Sequence, residues 1–310
     1  MNQIQIPLLL LMALGAEAQL QEPEPYQLSV HLNLVVLQAT VHDRKGEPAG
    51  NLQKDNFEVY EDGVRQSIRL FKHEDVPVTV GLVVDHSGSM RRKLSDVIAA
   101  ARSFVQSSNP QDQMFVVNFN ERVKIGLPVG TPMSSDPEVL AKAVASSIAT
   151  GQTALYDAIF EARNRLNAVS GDRKVLIVIS DGGDNASKHT LAEALQLAEK
   201  SNTLVYTIGI FDDSDEDKNP DVLKKLAQTT GGEAYFPSEY KDVITICERI
   251  ARDIRSRYTL GYVSTNITSP GTYRKVRVVA KGAGKQKLAV RTRVGYTAIT
   301  DQPSAKSKAP

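Results

Sequence analysis

The stretch "VVDHSGSM" places one carboxylate, Asp85, and two hydroxyls, Ser87 and Ser89, at alternate positions directly after an apolar run. Their oxygens can turn the same way while His86 and Gly88 turn elsewhere, and Gly88 permits a close backbone turn. Two distant stretches complete the set. "ATGQTALYDAI" carries Thr153 just before a helical pattern, and "LIVISDGGDN" carries Asp181 at the end of a second apolar run. Two carboxylates and three hydroxyls form an all-oxygen donor set, which selects a hard divalent cation, Mg2+ first, with Mn2+ or Ca2+ as alternatives. No thiolate or paired imidazole accompanies them, so the set does not suit structural zinc. The two acids nearly balance one divalent charge, leaving the ion able to accept an outside carboxylate. His86, Asp157, Asp184 and Asn185 stand close in sequence and are candidates for an outer shell or a ligand rim. For Asp157 the duller reading is a charge that favours a helix amino end, and for Asp184 and Asn185 a helix cap.

These residues need a scaffold that brings distant strand ends together. "VTVGLVV", "KVLIVIS" and "TLVYTIGI" are nearly continuous apolar runs, as in strands covered on both faces. Between them lie stretches with helical spacing. In "MRRKLSDVIAAARSFVQSS" the buried stripe is Leu94, Val97, Ile98, Ala101, Phe104 and Val105. "DPEVLAKAVASSI", "ALYDAIFEARNRLNAV", "TLAEALQLAEKSN", "PDVLKKLAQTT" and "KDVITICERIARDIRSR" read as further helices. Alternation of this kind predicts a parallel sheet with helices on both sides and a ligand crevice at the carboxyl tips of the strands. If the strands ending at Asp85 and Asp181 are neighbours, both acids face that crevice.

The flanks have a different grammar. "SVHLNLVV" alternates, with Val30, Leu32, Leu34 and Val36 facing one way, and "LQATVHD" then changes phase. "NFEVYEDGVRQSIRLF" reads as two strands joined at Glu61-Asp62-Gly63, and "YTLGYVS", "YRKVRVVA" and "KLAVRTRVGY" read as later strands. In "YRKVRV" and "AVRTRV" the cations fall on one side and the valines on the other, an ordinary solvated sheet face or a basic surface. Each flank alone is small, which favours one composite β-sandwich with the α/β domain inserted; two separate β units remain the alternative.

The pieces "DHSGSM", "GQTAL" and "SDGGDN" together resemble the von Willebrand factor type A domain and its metal-ion-dependent adhesion site. The resemblance spans about Val76 to Ile254. It implies a Rossmann-like fold, an α/β domain with a central, mostly parallel sheet and one short antiparallel strand that "VKIGLPV" could supply. It also implies that Asp85, Ser87, Ser89, Thr153 and Asp181 hold the cation, some of them through water. With its flanks, the whole chain looks like the bacterial exported proteins of this type. His86 departs from the pattern, which favours small or uncharged residues there; its ring is expected to face away from the ion, with the rim in reach.

The chain has 310 residues, a formal net charge of +1 and ordinary composition, with 41% hydrophobic and 24% charged residues. No global field points to nucleic acid or an anionic membrane. Residues 1–18 read as a signal peptide, although no Lys or Arg stands at its front. The segments that follow are a linker at 19–27, β-rich flanks at 28–75 and 256–298 around an α/β domain at 76–255, and a disordered tail at 299–310. Export to the periplasm or beyond the cell follows from the leader, with no stable membrane span after cleavage. Cys247 is the only cysteine and reads as a small buried hydrophobe. The acidic run at 212–217 reads as a solvated loop, with a second cation as the alternative. No phosphate loop or placed general base is present, and the favoured function is therefore a protein-binding or adhesion module rather than an enzyme. A metal-dependent hydrolase and an envelope-assembly component are the alternatives.

Overall fold

A computed structural model describes residues 34–298 apart from 74, 170, 172, 202, 213–216, 240, 267–270 and 283–285. The expected leader, linker and tail, residues 28–33 and the middle of the acidic run lie outside the described residues.

The central six-stranded sheet is built from β5 (Thr79–Asp85), β6 (Gln113–Phe119), β7 (Val123–Ile125), β8 (Lys174–Ser180), β9 (Thr203–Gly209) and β10 (Ala234–Tyr235) in the order β10-β9-β8-β5-β6-β7. All pairs are parallel except β6–β7. Every residue of β5 and β9 is buried, which explains their unbroken apolar sequences. Among the described residues six helices cover the sheet: α1 (Leu94–Ser107), α2 (Pro137–Val144), α3 (Leu155–Asn167), α4 (Leu191–Lys200), α5 (Pro220–Thr230) and α6 (Asp242–Arg255). α1 packs against α6 and α2, and α4 packs between α3 and α5. In α1 the core residues are Val97, Ala100, Ala101, Phe104 and Val105, with Leu94 and Ile98 partly buried against them.

Local chemistry sets the helix ends. Asp136 caps α2 by accepting from the N–H groups of Glu138 and Val139, and Thr190 and Glu193 form a capping box on α4. Gly231, at φ +86°, closes α5 in the left-handed conformation. α2 ends at Val144, four residues before the sequence pattern suggests. There the side chains of Asn118 and Ser146 both donate to the Ala143 carbonyl, and Ile148 beyond them is 81% exposed. Cys247 is buried in the core of α6, and burial, then the neighbouring Glu248, pushes its thiol up to about 12. Among the described residues no helix is long and apolar enough to cross a membrane.

Two antiparallel sheets of four strands flank this domain. β1 (Leu34–His42), β4 (Ile68–Lys72), β11 (Tyr258–Val263) and β13 (Ala289–Arg291) form one in the order β13-β1-β11-β4; β2 (Phe57–Glu61), β3 (Val64–Gln66), β12 (Tyr273–Ala280) and β14 (Gly295–Thr297) form the other, in the order β14-β12-β2-β3. Each mixes strands from before and after the α/β domain. β4 and β11, which lead into and out of that domain, are paired neighbours. A shared core of Leu37, Val41, Phe57, Val59, Leu260 and Val278, among others, makes the pair of sheets sandwich-like.

The β segments depart from the sequence-based expectations in four places. In β1 the residues facing the sandwich core are Val35, Leu37, Ala39 and Val41, one step out of phase with the expected Leu34 and Val36. The other face is also covered: Val36 and Gln38 share a crevice with Ala198 and Thr203, and His42 pairs with Asp253 of α6 at 2.9 Å. "VRQSIRLF" splits into β3 and β4, which belong to different sheets, and "KLAVRTRVGY" splits into β13 and β14 in the same way. Arg274 lies on the valine side of β12, buried against Glu61 at 3.1 Å, while Lys275 and Arg277 face outward.

Candidate metal centre

β5 and β8 are adjacent parallel strands, paired from Thr79–Lys174 to Val84–Ile179. The chain leaves β5 toward β6 on one side, and β8 lies on the other, so the tips of β5 and β8 flank the switch in sheet order. Asp85 is the last residue of β5 and is wholly buried. Its Oδ1 accepts from the Ser87 N–H at 2.7 Å, and its Oδ2 accepts from the Ser180 hydroxyl at 2.6 Å. Asp181 follows the end of β8. Its Oδ1 accepts from the Gly183 N–H at 3.0 Å, and its Oδ2 accepts from the Ser89 hydroxyl at 2.6 Å. Ser87 and Ser89 share a hydrogen bond at 3.0 Å. A short 3-10 turn at Gly88–Met90 holds this loop before α1 begins.

The Thr153 loop is fastened alongside. The Gly88 N–H donates to the Gly151 carbonyl at 3.1 Å, and the Thr150 N–H donates to the His86 carbonyl at 2.9 Å. Gly151 has φ +80°, a left-handed conformation that favours glycine, and the Glu121 carboxylate lies against it. From the other side, the N–H groups of Asn185 and Ala186 both donate to the Thr153 carbonyl at 3.0 Å, and Asn185 Oδ1 accepts from the Thr153 N–H at 2.9 Å. Thr153 itself is 7% exposed. Asp85, Ser87, Ser89 and Asp181 are thus joined through side-chain and backbone hydrogen bonds, and the backbone of Thr153 lies on the adjoining loop.

Burial first, and then the charge of Asp181, pushes the Asp85 carboxyl up to about 7; the Ser180 hydroxyl and the Ser87 N–H and hydroxyl work against this. Two acids therefore converge with hydroxyls and amides as their hydrogen-bond partners. A divalent cation would compensate both, and the oxygen donors suit Mg2+ rather than a soft metal. Among the described residues no group of three or more His, Cys, Asp or Glu side chains is placed to hold a metal, so a carboxylate-rich or imidazole-rich centre is not part of this arrangement.

The four rim candidates divide clearly. His86 is wholly buried, with ring nitrogens 3.1 Å from the Val84 carbonyl and 2.9 Å from the Val144 carbonyl. It braces the loop from within: burial lowers its pKa, and the neutral ring has one N–H to donate to one of these two carbonyls. Asp157 turns to the next loop, where it accepts from the N–H groups of Lys188 and His189 and pairs with the His189 ring at 2.6 Å. Asp184 accepts from the Tyr156 N–H in the first turn of α3 at 3.0 Å and from the Ser187 hydroxyl at 2.6 Å. It therefore caps the helix that follows Thr153 rather than one following itself. Asn185 fixes the Thr153 backbone, as above, and donates to Asp217 at 3.1 Å. Asp212, at the start of the acidic run, lies 3.7 Å from buried Lys93.

Ser180 is the participant that spacing alone did not single out, although a lone hydroxyl at the end of "KVLIVIS", just before the acid, is its trace. Spacing also misses Asn118: a single buried amide inside the apolar strand "QMFVVNF", it contacts Ala143 and Ser146 rather than the metal-site residues.

A family model described as the von Willebrand factor type A domain matches residues 79–249, more than half of the chain, and the chain belongs to this family. No curated protein matches it. Among solved structures, a von Willebrand factor type A protein from Catenulispora acidiphila is similar over 89% of this chain and 76% of its own, with TM-score 0.52 and 15% identity. The vWF domain of the type V pili tip protein Mfa5 from Porphyromonas gingivalis matches 58% of this chain and 95% of its own, with TM-score 0.50 and 15% identity. Proximal thread matrix protein 1 from the mussel byssus matches 63% of this chain and 51% of its own, with TM-score 0.50 and 16% identity. At these identities the similarity establishes the fold.

Proposed function

We propose that this chain is an exported protein-binding module in which Asp85, Ser87, Ser89, Thr153 and Asp181 hold a divalent cation, Mg2+ first, that captures a Glu or Asp side chain of a partner protein. The observation that carries this reading is the convergence of buried Asp85 and Asp181 on a hydroxyl-lined loop cluster at the sheet switch point. The ion, when bound, supplies a positive centre able to take one more anionic oxygen. The protein's part is to keep the two acids facing each other and the serine hydroxyls turned toward them. Gly88, Gly151 and the 184–187 segment hold the three loops in register. Hydrolysis is the weaker reading, because the His86 ring, the nearest candidate base, is wholly buried against main-chain carbonyls. The proposal includes the segmentation read from the sequence: a leader at 1–18, an α/β domain at 76–255, and flanks at 28–75 and 256–298 that form one sandwich. A pilus tip protein is among the similar structures, and a surface or periplasmic role for this chain fits that comparison.

Calorimetric titration of MgCl2 and MnCl2 into the wild type and Asp85→Ala tests the site, followed by capture from an envelope fraction in Mg2+ or chelator. Saturable ion binding in the wild type alone, with Mg2+-dependent capture, is the expected result. Equal ion binding by both proteins, or partners retained equally under all conditions, overturns the proposal.

A further inference from the structure

Beside the candidate metal loop lies a cleft of about 300 Å3, bordered by Asn118, Glu121, Arg122, Lys124, Ser146 and Thr150. It shares walls with the metal centre: Thr150 is hydrogen-bonded to the His86 backbone, and the Ala154 N–H donates to the Asn120 carbonyl at 2.8 Å. Asn118 is 1% exposed. Its Nδ2 donates to the Ala143 carbonyl at 2.8 Å and to the Ser146 hydroxyl at 3.1 Å, and Ser146 in turn donates to the same carbonyl. These contacts fix the amide's orientation, because reversing it would set Oδ1 against the Ala143 carbonyl. Oδ1 is then left with no hydrogen-bond partner among the described residues. A buried acceptor without a donor costs about 1–3 kcal/mol, so a donor supplied by a ligand is worth more here than at the surface. Lys124 stands directly opposite Asn118 in the β6–β7 ladder, on the same face of the sheet.

We infer that this cleft is a side-chain pocket that selects a carboxamide, Asn or Gln, next to the acid that the partner offers to the ion. The inference rests on the proposed metal-bridging reading and deepens it. Three side-chain chemistries compete for the cleft. A carboxylate meets Arg122 and Lys124 but brings only acceptors to Asn118 Oδ1. An ammonium or guanidinium satisfies Oδ1 but adds a cation to a rim where Arg122 and Lys124 outnumber Glu121. A carboxamide serves both: its NH2 donates to Oδ1 and its carbonyl accepts from the cations. Glu121 leans on the Gly151 backbone, between the cleft and the metal loop, so the two subsites lie side by side.

The test is an NMR titration of the full chain in Mg2+ with four capped dipeptides: Asp-Gln, Asp-Glu, Asp-Lys and Asp-Ala. The expected result is about tenfold tighter binding of Asp-Gln than of Asp-Ala, with the Asn118 side-chain amide shifting for Asp-Gln. Asn118→Ala removes the preference while the Mg2+ dependence persists. Should Asn118→Ala fail to fold, Lys124→Ala on the exposed rim is expected to reduce the same preference about threefold. Equal affinity of the four peptides, preference for Asp-Glu or Asp-Lys, or no shift at Asn118 with millimolar Asp-Gln overturns the inference. Failure of the metal reading has a different signature, a carboxamide preference that survives chelation and Asp85→Ala.

Discussion

Glu61 in the sandwich and Asp85 in the α/β domain are both almost wholly buried carboxylates, at 2% and 0% exposure. Glu61 accepts from Ser264 at 2.5 Å, from Tyr262 and Tyr296 at 2.7 Å each, and from Arg274 at 3.1 Å. Burial alone would raise its carboxyl; the Ser264, Tyr262 and Tyr296 hydroxyls and then Arg274 together hold it below the ordinary value. Asp85 has the Ser180 hydroxyl and the Ser87 N–H, and faces a second acid. One centre is complete within the chain, with an acid, a cation and three hydroxyls gathered from β2, β11, β12, β14 and the residue after β11. The other brings two acids together with hydroxyls and amides as their hydrogen-bond partners, and on the proposed reading a bound cation compensates them. A closed network of this kind fixes which strands meet; an open one is what a binding site needs.

Removing the closed centre is expected to do the most damage. Glu61→Ala leaves Arg274 buried beside three hydroxyls with no anion and should cost about 3–5 kcal/mol. Denaturant unfolding measures this, and the paired change Glu61→Leu with Arg274→Met should recover much of the loss. A small single-mutant effect would mean that the sandwich does not depend on the pair.

The two centres also predict opposite responses to pH. Asp85 has a folded-state value near 7, above its ordinary 3.8, so its contribution to stability is present at low pH and falls away as pH rises through that interval. Glu61 is depressed, so its contribution is present above its ordinary 4.5 and is lost as pH falls through the lower, folded value. In chelator, stability is expected to fall between pH 5 and about 7.5 in the wild type, and Asp85→Asn should flatten that slope. Mg2+ at about 100 times its Kd should then add about 2.7 kcal/mol to the wild type at pH 7.5 and nothing to Asp85→Asn. Thermal unfolding in the four conditions separates these effects; an unchanged slope in Asp85→Asn would remove Asp85 as its source.

The contrast explains what could be read from the sequence. The α/β strands are buried on both faces and appear as continuous apolar runs, and the candidate metal donors sit at their tips, where a change from apolar to oxygen-bearing residues is conspicuous. Asp85 and Asp181 are visible for that reason. The sandwich strands are short, and several change sheets within a few residues, as at Ser67 between β3 and β4, so alternation loses its phase before it can be trusted. Arg274 illustrates the difficulty. Strict alternation in "YRKVRV" sets it on the side of Val276 and Val278, against the rule that a cation belongs on the solvated face, and only its partner Glu61, 213 residues earlier, explains why it stays there. The partners of His86 are hidden for a related reason: nothing local shows that its ring nitrogens lie against the Val84 and Val144 carbonyls.

The smallest expected effect lies in the supports of the open centre. Three links tie this segment to the Thr153 backbone: the main-chain N–H groups of Asn185 and Ala186, and the Asn185 side-chain carbonyl. Asn185→Ala removes only the last, so the loop keeps two of its three ties while the Thr153 N–H loses its acceptor. The cost in stability should be about 1 kcal/mol. Because the donors themselves are untouched, Mg2+ affinity should weaken about tenfold, the lower end of what loss of an outer support produces. Calorimetry on Asn185→Ala beside Asp85→Ala distinguishes support from coordination. If Asn185→Ala abolished ion binding as fully as Asp85→Ala, Asn185 would have to be counted among the groups that define the open centre, and the difference from the self-sufficient cluster around Glu61 would narrow to one of degree.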